Sequence, residues 1–298
     1  MNPASALPSQ EPGAPNPPVI APWFWQNRMS YLAAAGVTTY EQDWLSAEAQ
    51  PAYNLTAPDE FFGNMAKYAA ASGLTIQYCM PLPRDYLQTT LYDNVTHLRV
   101  SGDRFEASKW DQFLYDRQLA RAVGVWPWTD VFMSTETTNL LLCNLSAGPV
   151  GVGDPIGQES RASIMRVVRP DGVIVKPDVP IVPDDQTYLA EAAGRRPPMV
   201  AWTYSDHGDL RYGYVFSYAR NAPSQTASFQ PSALGITGPA YVQDYFAGTG
   251  TLPPAGGSTS STSRAARTGW SPRWDPRESR SSGTPTSSSP WASSASPQ

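Results

Sequence analysis

The sequence predicts an α/β protein, parallel in its first half and antiparallel after it, and three observations carry that expectation. Short apolar strands alternate with helical patterns from residue 23 to 157, as in parallel strands joined by right-handed crossovers. After residue 160 the pattern changes to β-rich runs separated by Gly, Pro, Asn and Asp, which predicts antiparallel sheet. At the two ends, 1–22 and 251–298, prolines or Ser/Thr/Gly/Arg runs replace any apolar face, so neither segment is expected to offset the entropy of ordering. The implied organisation is a disordered leader (1–22), an α/β region (23–160), an antiparallel β region (161–250) and a disordered low-complexity tail (251–298).

The elements follow in order. Trp25, Met29 and Leu32 fall at helical spacing, and Gly36 ends that helix. Val37 to Tyr40 read as a strand running into Glu41-Gln42-Asp43-Trp44. Pro58-Asp59-Glu60 suit a helix start, with acids facing the positive end of the dipole. Phe61, Met65 and Tyr68 give that helix its inner face, Gly73 stops it, and Leu74 to Cys79 form the next strand. A short helix near 84–92 leads to a strand at His97–Ser101, and a helix from Asp111 to Ala122 ends at Gly124. Val131–Met133 read as a strand, Glu136 to Leu145 as an apolar helix closed by Gly148, and Pro149 to Val152 as the last strand of the series. Five strands fit either a doubly wound sheet or most of a barrel, and periodicity does not decide between them. Val173–Val175, Val200–Tyr204, Tyr212–Tyr218 and Tyr241–Phe246 are the later β runs, too few for a complete sandwich.

Bulk properties exclude several classes. A net charge of −5 over 298 residues argues against a nucleic-acid surface. No stretch reaches the roughly 18 apolar residues of a membrane span, so no membrane partner is expected. The start of the chain has neither a basic region nor an apolar run of the secretory kind, which makes a cytoplasmic location the expectation. Cys79 and Cys143 each sit inside an apolar run and read as buried thiols. His97 and His207 are the only histidines and lack a ligand pattern, so no metal is expected.

In parallel α/β folds the working groups gather at the carboxyl ends of the strands. Asp43 and Asp103 both follow predicted strands. A pair of carboxylates suits cleavage of a glycosidic bond, one stabilising or attacking the oxocarbenium-like carbon and the other protonating the leaving oxygen. Taken singly, each acid is more often a loop residue or a helix cap. Trp110, Trp126 and Trp128 offer flat faces for sugars, although large aromatics more often serve the core. Gly148, Gly151, Gly153 and Gly157 lack the spacing of a phosphate loop and fit tight turns better.

Motif context sharpens the reading. The run Asn94-Val95-Thr96-His97-Leu98-Arg99-Val100-Ser101-Gly102-Asp103, with Arg99 four positions before Asp103, resembles the acid/base strand of the α-galactosidase and raffinose-synthase clan of glycoside hydrolases. Tyr40-Glu41-Gln42-Asp43-Trp44 resembles the strand end carrying that clan's nucleophile, and Gln77-Tyr78-Cys79-Met80 the Cys-Met strand end of raffinose synthases. Leu145 to Gly157 looks like the final barrel strand, and Arg169 to Ile174 like the entry to a C-terminal β domain. The resemblance covers about 23–250 in the right order. It implies a partial (β/α) TIM-type barrel followed by an incomplete antiparallel β domain. It also implies a carbohydrate substrate, no cofactor, Asp43 and Asp103 as catalytic carboxylates, and Arg99, Trp44, Glu41 and Met80 as substrate-binding residues.

Two departures qualify the match. Glu41 stands where the clan usually has a lysine two residues before the nucleophile. Only a Pro-rich leader precedes Trp23, where the family barrel has earlier strands, so the resemblance implies a truncated member. The expected activity is that of a retaining α-glycosidase. The alternatives are an inactive remnant and α-galactosyl transfer of the raffinose-synthase kind.

Overall fold

The computed structural model describes residues 20–49, 55–236 and 238–252, and the backbone of 259–264 and 269–273. The chain divides into two compact units. One ends at Arg99 and takes in Val123–Val125, and the other comprises Val100–Ala122 and the chain from Trp126 onward.

The first unit holds helix α1 (Pro22–Ala34), strand β1 (Thr39–Gln42), a single turn α2 (Leu45–Glu48) and helix α3 (Ala57–Ala71). Strand β2 (Thr75–Tyr78), helix α4 (Pro83–Gln88) with a 3-10 turn at Thr89–Leu91, and strand β3 (Val95–Arg99) follow. Proline at the first turn suits α1 and α3 because its missing N–H has no partner to lose there. The three strands are parallel in the order β1-β2-β3, with Thr39 opposite Thr75 and Gln42 opposite Tyr78. Trp25 of α1 ties the layers together, meeting Phe61 of α3 edge-on at 5.4 Å and Tyr40 of β1 at 6.2 Å. Phe61, Phe62, Met65 and Ala69 give α3 its buried face. Phe61, Phe62 and Met65 each contribute roughly 1.5–3 kcal/mol of transfer free energy.

In the second unit lie helix α5 (Trp110–Ala122), strand β4 (Trp126–Trp128), helix α6 (Thr137–Leu145), the turn α7 (Arg161–Ile164), strand β5 (Val182–Pro183) and helix α8 (Asp185–Ala192). The strands β6 (Met199–His207), β7 (Leu210–Tyr218), β8 (Ser224–Phe229), β9 (Tyr241–Asp244), β10 (Gly250–Thr251), β11 (Thr259–Arg264) and β12 (Gly269–Arg273) complete it. Six strands form a sheet in the order β10-β9-β12-β7-β6-β5, while β8 and β11 pair as a ribbon. One face of the sheet packs on α5, where Trp110 meets Phe216 at 5.4 Å and Tyr218 at 5.1 Å. The other face supplies Val200, Val215 and Val242 to a cluster with Ala227, Phe229 and Leu234.

Several expectations need correction. The strand expected at Val131–Met133 is found at Trp126–Trp128, and Phe132 forms only an isolated parallel bridge with Val152. Asp130 explains the break: its N–H donates to Ser101 Oγ at 2.8 Å and its carboxylate takes the Val131 N–H, drawing the backbone out of a ladder. The strand expected at His97–Ser101 begins two residues earlier. Helix α8 stands where the sequence reading placed none. Helix α1 already starts at Pro22, inside the expected leader, and residues 1–19 lie outside the described residues. Within the stretch 251–298, expected to be disordered, β11 and β12 are strands. Strand β12 lies between β7 and β9 and pairs with both. A Ser/Thr segment without an apolar face still carries the donors and acceptors of a ladder, and neighbouring strands offer the complementary row.

Candidate active site

The first unit holds five of the six sequence-predicted site residues, Glu41 within β1 and Asp43, Trp44, Met80 and Arg99 where parallel strands end. Asp43 follows β1 directly, Met80 lies two residues past β2, and Arg99 closes β3. The ladder continues one step beyond β1, because the Cys79 N–H donates to the Gln42 carbonyl at 2.9 Å. The chain then turns sharply. Trp44 adopts the left-handed conformation with φ 59°, and its N–H donates to Asp43 Oδ1 at 2.7 Å. The N–H groups of Leu45 and Ser46 reach back to the Cys79 and Met80 carbonyls at 3.3 and 3.0 Å, fastening α2 to the end of β2. Met80 is left-handed as well, with φ 51°. Two non-glycine residues in that region within one loop pair is backbone strain of the kind that gathers at functional sites.

Asp43 and Trp44 are exposed, the indole by 57%. Arg99 is buried at 8% exposure. Between them in the strand order lies Cys79, buried at the end of β2. Burial pushes this thiol far above the ordinary range, the neighbouring Asp43 carboxylate adds to the rise, and the Arg99 guanidinium opposes it. Glu41 contributes weakly to the same field and also lines a shallow groove of about 360 Å³ with Phe24, Arg28 and Tyr40.

Asp103 belongs to the second unit and is exposed on the turn Gly102–Phe105. That turn is pinned at several points. Lys109 Nζ donates to the Asp103 carbonyl, and the Phe105 N–H donates to the Val131 carbonyl at 2.9 Å. Arg104, left-handed at φ 56°, forks onto both oxygens of Glu136, with Nη1 to Oε2 at 2.9 Å. Glu136 also accepts the Met133 N–H at 3.0 Å and Asn139 Nδ2 at 3.1 Å. Asn139 in turn accepts from Trp110 Nε1 at 2.8 Å. Trp110 is therefore a core residue, while Trp126 keeps 43% of its surface exposed.

Sequence reasoning missed the Cys79–Asp43 proximity and the Arg104–Glu136 fork. Cys79 carried a signal, since a polar strand end beside it in register places its thiol next to whatever follows Gln42. Glu136, read only as a helix start, carried none. No group of three or more His, Cys, Asp or Glu side chains that could hold a metal occurs among the described residues.

No protein-family model matches the chain, and no curated protein matches it in sequence. Solved structures do match in fold. A GH27 β-L-arabinopyranosidase from Geobacillus stearothermophilus superposes with a TM-score of 0.60 at 13% identity, over 85% of this chain and 61% of that one. α-Galactosidase I from Mortierella vinacea gives 0.57 at 8% identity, over 85% and 72%. A putative α-N-acetylgalactosaminidase from Bacillus halodurans C-125 gives 0.52 at 11%, over 85% and 62%. The chain thus shares the fold of GH27 α-galactosidases and related glycoside hydrolases, and spans about three fifths of the length of the first of them.

Proposed function

We propose that this chain acts on glycosidic bonds as a retaining α-glycosidase of the α-galactosidase kind. The observation that carries the reading is Asp43: an exposed carboxylate on a strained loop at the carboxyl end of a parallel strand, in a chain with the fold of glycosidases. Asp43 Oδ attacks the anomeric carbon as the bond to the leaving oxygen breaks, and Asp103 gives that oxygen its proton. Asp103, now a carboxylate, takes a proton from water, and the resulting hydroxide oxygen displaces Asp43 from the same carbon. Two inversions restore the original configuration. Arg99 holds a sugar hydroxyl, the exposed face of Trp44 lies against the ring, and Met80 shapes the wall. The Trp44 N–H donates to the Asp43 carboxylate and limits its rotation.

Substitution tests the assignment. Asp43→Ala removes turnover of every glycoside. Asp103→Ala slows alkyl α-galactosides far more than activated aryl α-galactosides, whose leaving groups need little protonation. Full activity of Asp43→Ala overturns the nucleophile assignment, and wild-type protein inert toward all these substrates makes the chain an inactive remnant.

A further inference from the structure

The second unit contains a groove of about 840 Å³ that the proposed chemistry does not use. Val200 and Trp202 of β6 line it, and Trp202 is half-buried, one part packed on the Val200–Val215–Phe229 cluster. The end of β5, the first turn of α8, and Thr226, Ser228 and Phe229 of β8 also line the groove. Asp184 is fixed in place: its N–H donates to the Val200 carbonyl at 2.8 Å, and its Oδ1 accepts the Gln186 N–H at 2.9 Å. Gln118 is held by the Tyr188 hydroxyl at its Oε1, which sets the plane of its amide. Arg195 and Gln186 stand exposed at the rim.

We infer that this groove is a second carbohydrate-binding site, taking a short neutral oligosaccharide with one ring laid on Trp202. The volume falls within the range of small-molecule sites, roughly 300–1,000 Å³. An indole bordered by amides, hydroxyls and a carboxylate matches the alternation of apolar ring faces and hydroxyl edges in a pyranose. Charge narrows the class. Asp184 and Asp185 outnumber Arg195 in the lining, so phosphorylated or acidic sugars meet net repulsion. Fixed donors and acceptors on α8 and α5 lower the ordering cost of binding. The site stands apart from Asp43 and Asp103 in its chemistry, and it binds without cleaving.

The test is a titration of the full chain carrying Asp43→Ala with raffinose, a neutral galactose-containing trisaccharide, read by the indole N–H signals in NMR. The expected result is a saturable, millimolar shift of the Trp202 signal, identified by its loss in Trp202→Phe. Because Trp202 also packs on the core, Arg195→Ala and Gln186→Ala provide a second arm, and each weakens the response by severalfold. Trp202→Ala, where folded, weakens it by about tenfold or more. A Trp202 signal indifferent to raffinose overturns the inference. So does a shift produced instead by a peptide of residues 1–22, which would make the groove a peptide site. Glycosidase activity is read separately on wild-type protein, so an inert enzyme with a responsive Trp202 removes the proposed function alone, and an active enzyme with a silent Trp202 removes this one alone.

Discussion

Cys79 and Asp43 are neighbours across the ends of two parallel strands, where the register pairs Gln42 with Tyr78 and the Cys79 N–H donates to the Gln42 carbonyl at 2.9 Å. The proximity has a consequence that does not depend on any substrate. Burial is the larger cause of the raised Cys79 titration and Asp43 the next, so removing the carboxylate brings it down part of the way. In Asp43→Asn, Cys79 is expected to react with iodoacetamide at lower pH than in wild type. Cys143, fully buried and pushed up to about 11, serves as the internal reference. Mass spectrometry of the two cysteine peptides checks this, and an unchanged Cys79 profile contradicts the proximity.

The Arg104–Glu136 fork predicts acid sensitivity. Burial raises the Glu136 carboxyl, but the Arg104 hydrogen bond with those from Met133 and Asn139 outweighs it and holds the group below its ordinary value. A group depressed on folding stabilises fully above its unfolded titration, about pH 4.3, and loses that contribution as pH falls through the folded value. Both side chains are about one third exposed, so solvent screening limits Arg104→Ala to a cost of about 1 kcal/mol at neutral pH. Denaturant unfolding of wild type and Glu136→Gln should differ at neutral pH and converge in acid below the folded titration. A difference that persists there shows that the fork is not its source.

Gly148 and Gly157 are glycines for different reasons. A Cβ on Gly148 would lie 1.7 Å from the Pro127 carbonyl oxygen, a backbone atom that cannot swing aside. Gly148→Ala is therefore expected to cost about 3 kcal/mol. Gly157 has open space but φ of +82°, so Gly157→Ala meets only left-handed strain of roughly 1–2 kcal/mol. Chemical denaturation of the two variants checks the order, and equal losses contradict the close approach of the 148 segment to β4.

Arg220 is the most enclosed cation of the ion-pair network in the second unit, with 1% of its side chain exposed. Its Nη1 meets Glu191, Tyr115 Oη at 3.0 Å and Asp111 at 3.6 Å, and its Nε donates to the Pro197 carbonyl at 2.9 Å. Arg220→Ala leaves these acceptors facing one another and should cost about 3–5 kcal/mol. Arg220→Lys keeps the charge but not the fork and should recover only part of it. A loss under about 1 kcal/mol, measured by urea unfolding, would show the network to be solvated instead.

The regular elements of the first unit were legible because proline, glycine and helical spacing agree in α1 and α3, and short apolar runs mark β2 and β3. Helix α8 was not, although Asp184 occupies its N-cap, because Leu189 lies exposed and no apolar stripe marks the helix. Strands β11 and β12 were illegible for a related reason: backbone pairing holds them to their neighbours, and composition does not encode a partner. At the site, Asp43 could be placed just past a strand from the apolar pattern alone, whereas Met80 and Arg99 came from the resemblance, and Arg99 was read inside a strand that in fact ends at it. The left-handed turns at Trp44, Met80 and Arg104 could not, since none of the three is a residue that favours that conformation.

In the proposed reaction Asp43 becomes covalently bonded to sugar during turnover. The most direct measurement is to incubate the full chain with an activated 2-deoxy-2-fluoro-α-galactoside, which slows breakdown of a glycosyl-enzyme, and to map the mass increment by peptide mass spectrometry. One fluorosugar per chain on the peptide containing Asp43, absent in Asp43→Ala, is the result expected. A chain that turns over α-galactosides yet carries no label, or carries it on another carboxylate, contradicts the account.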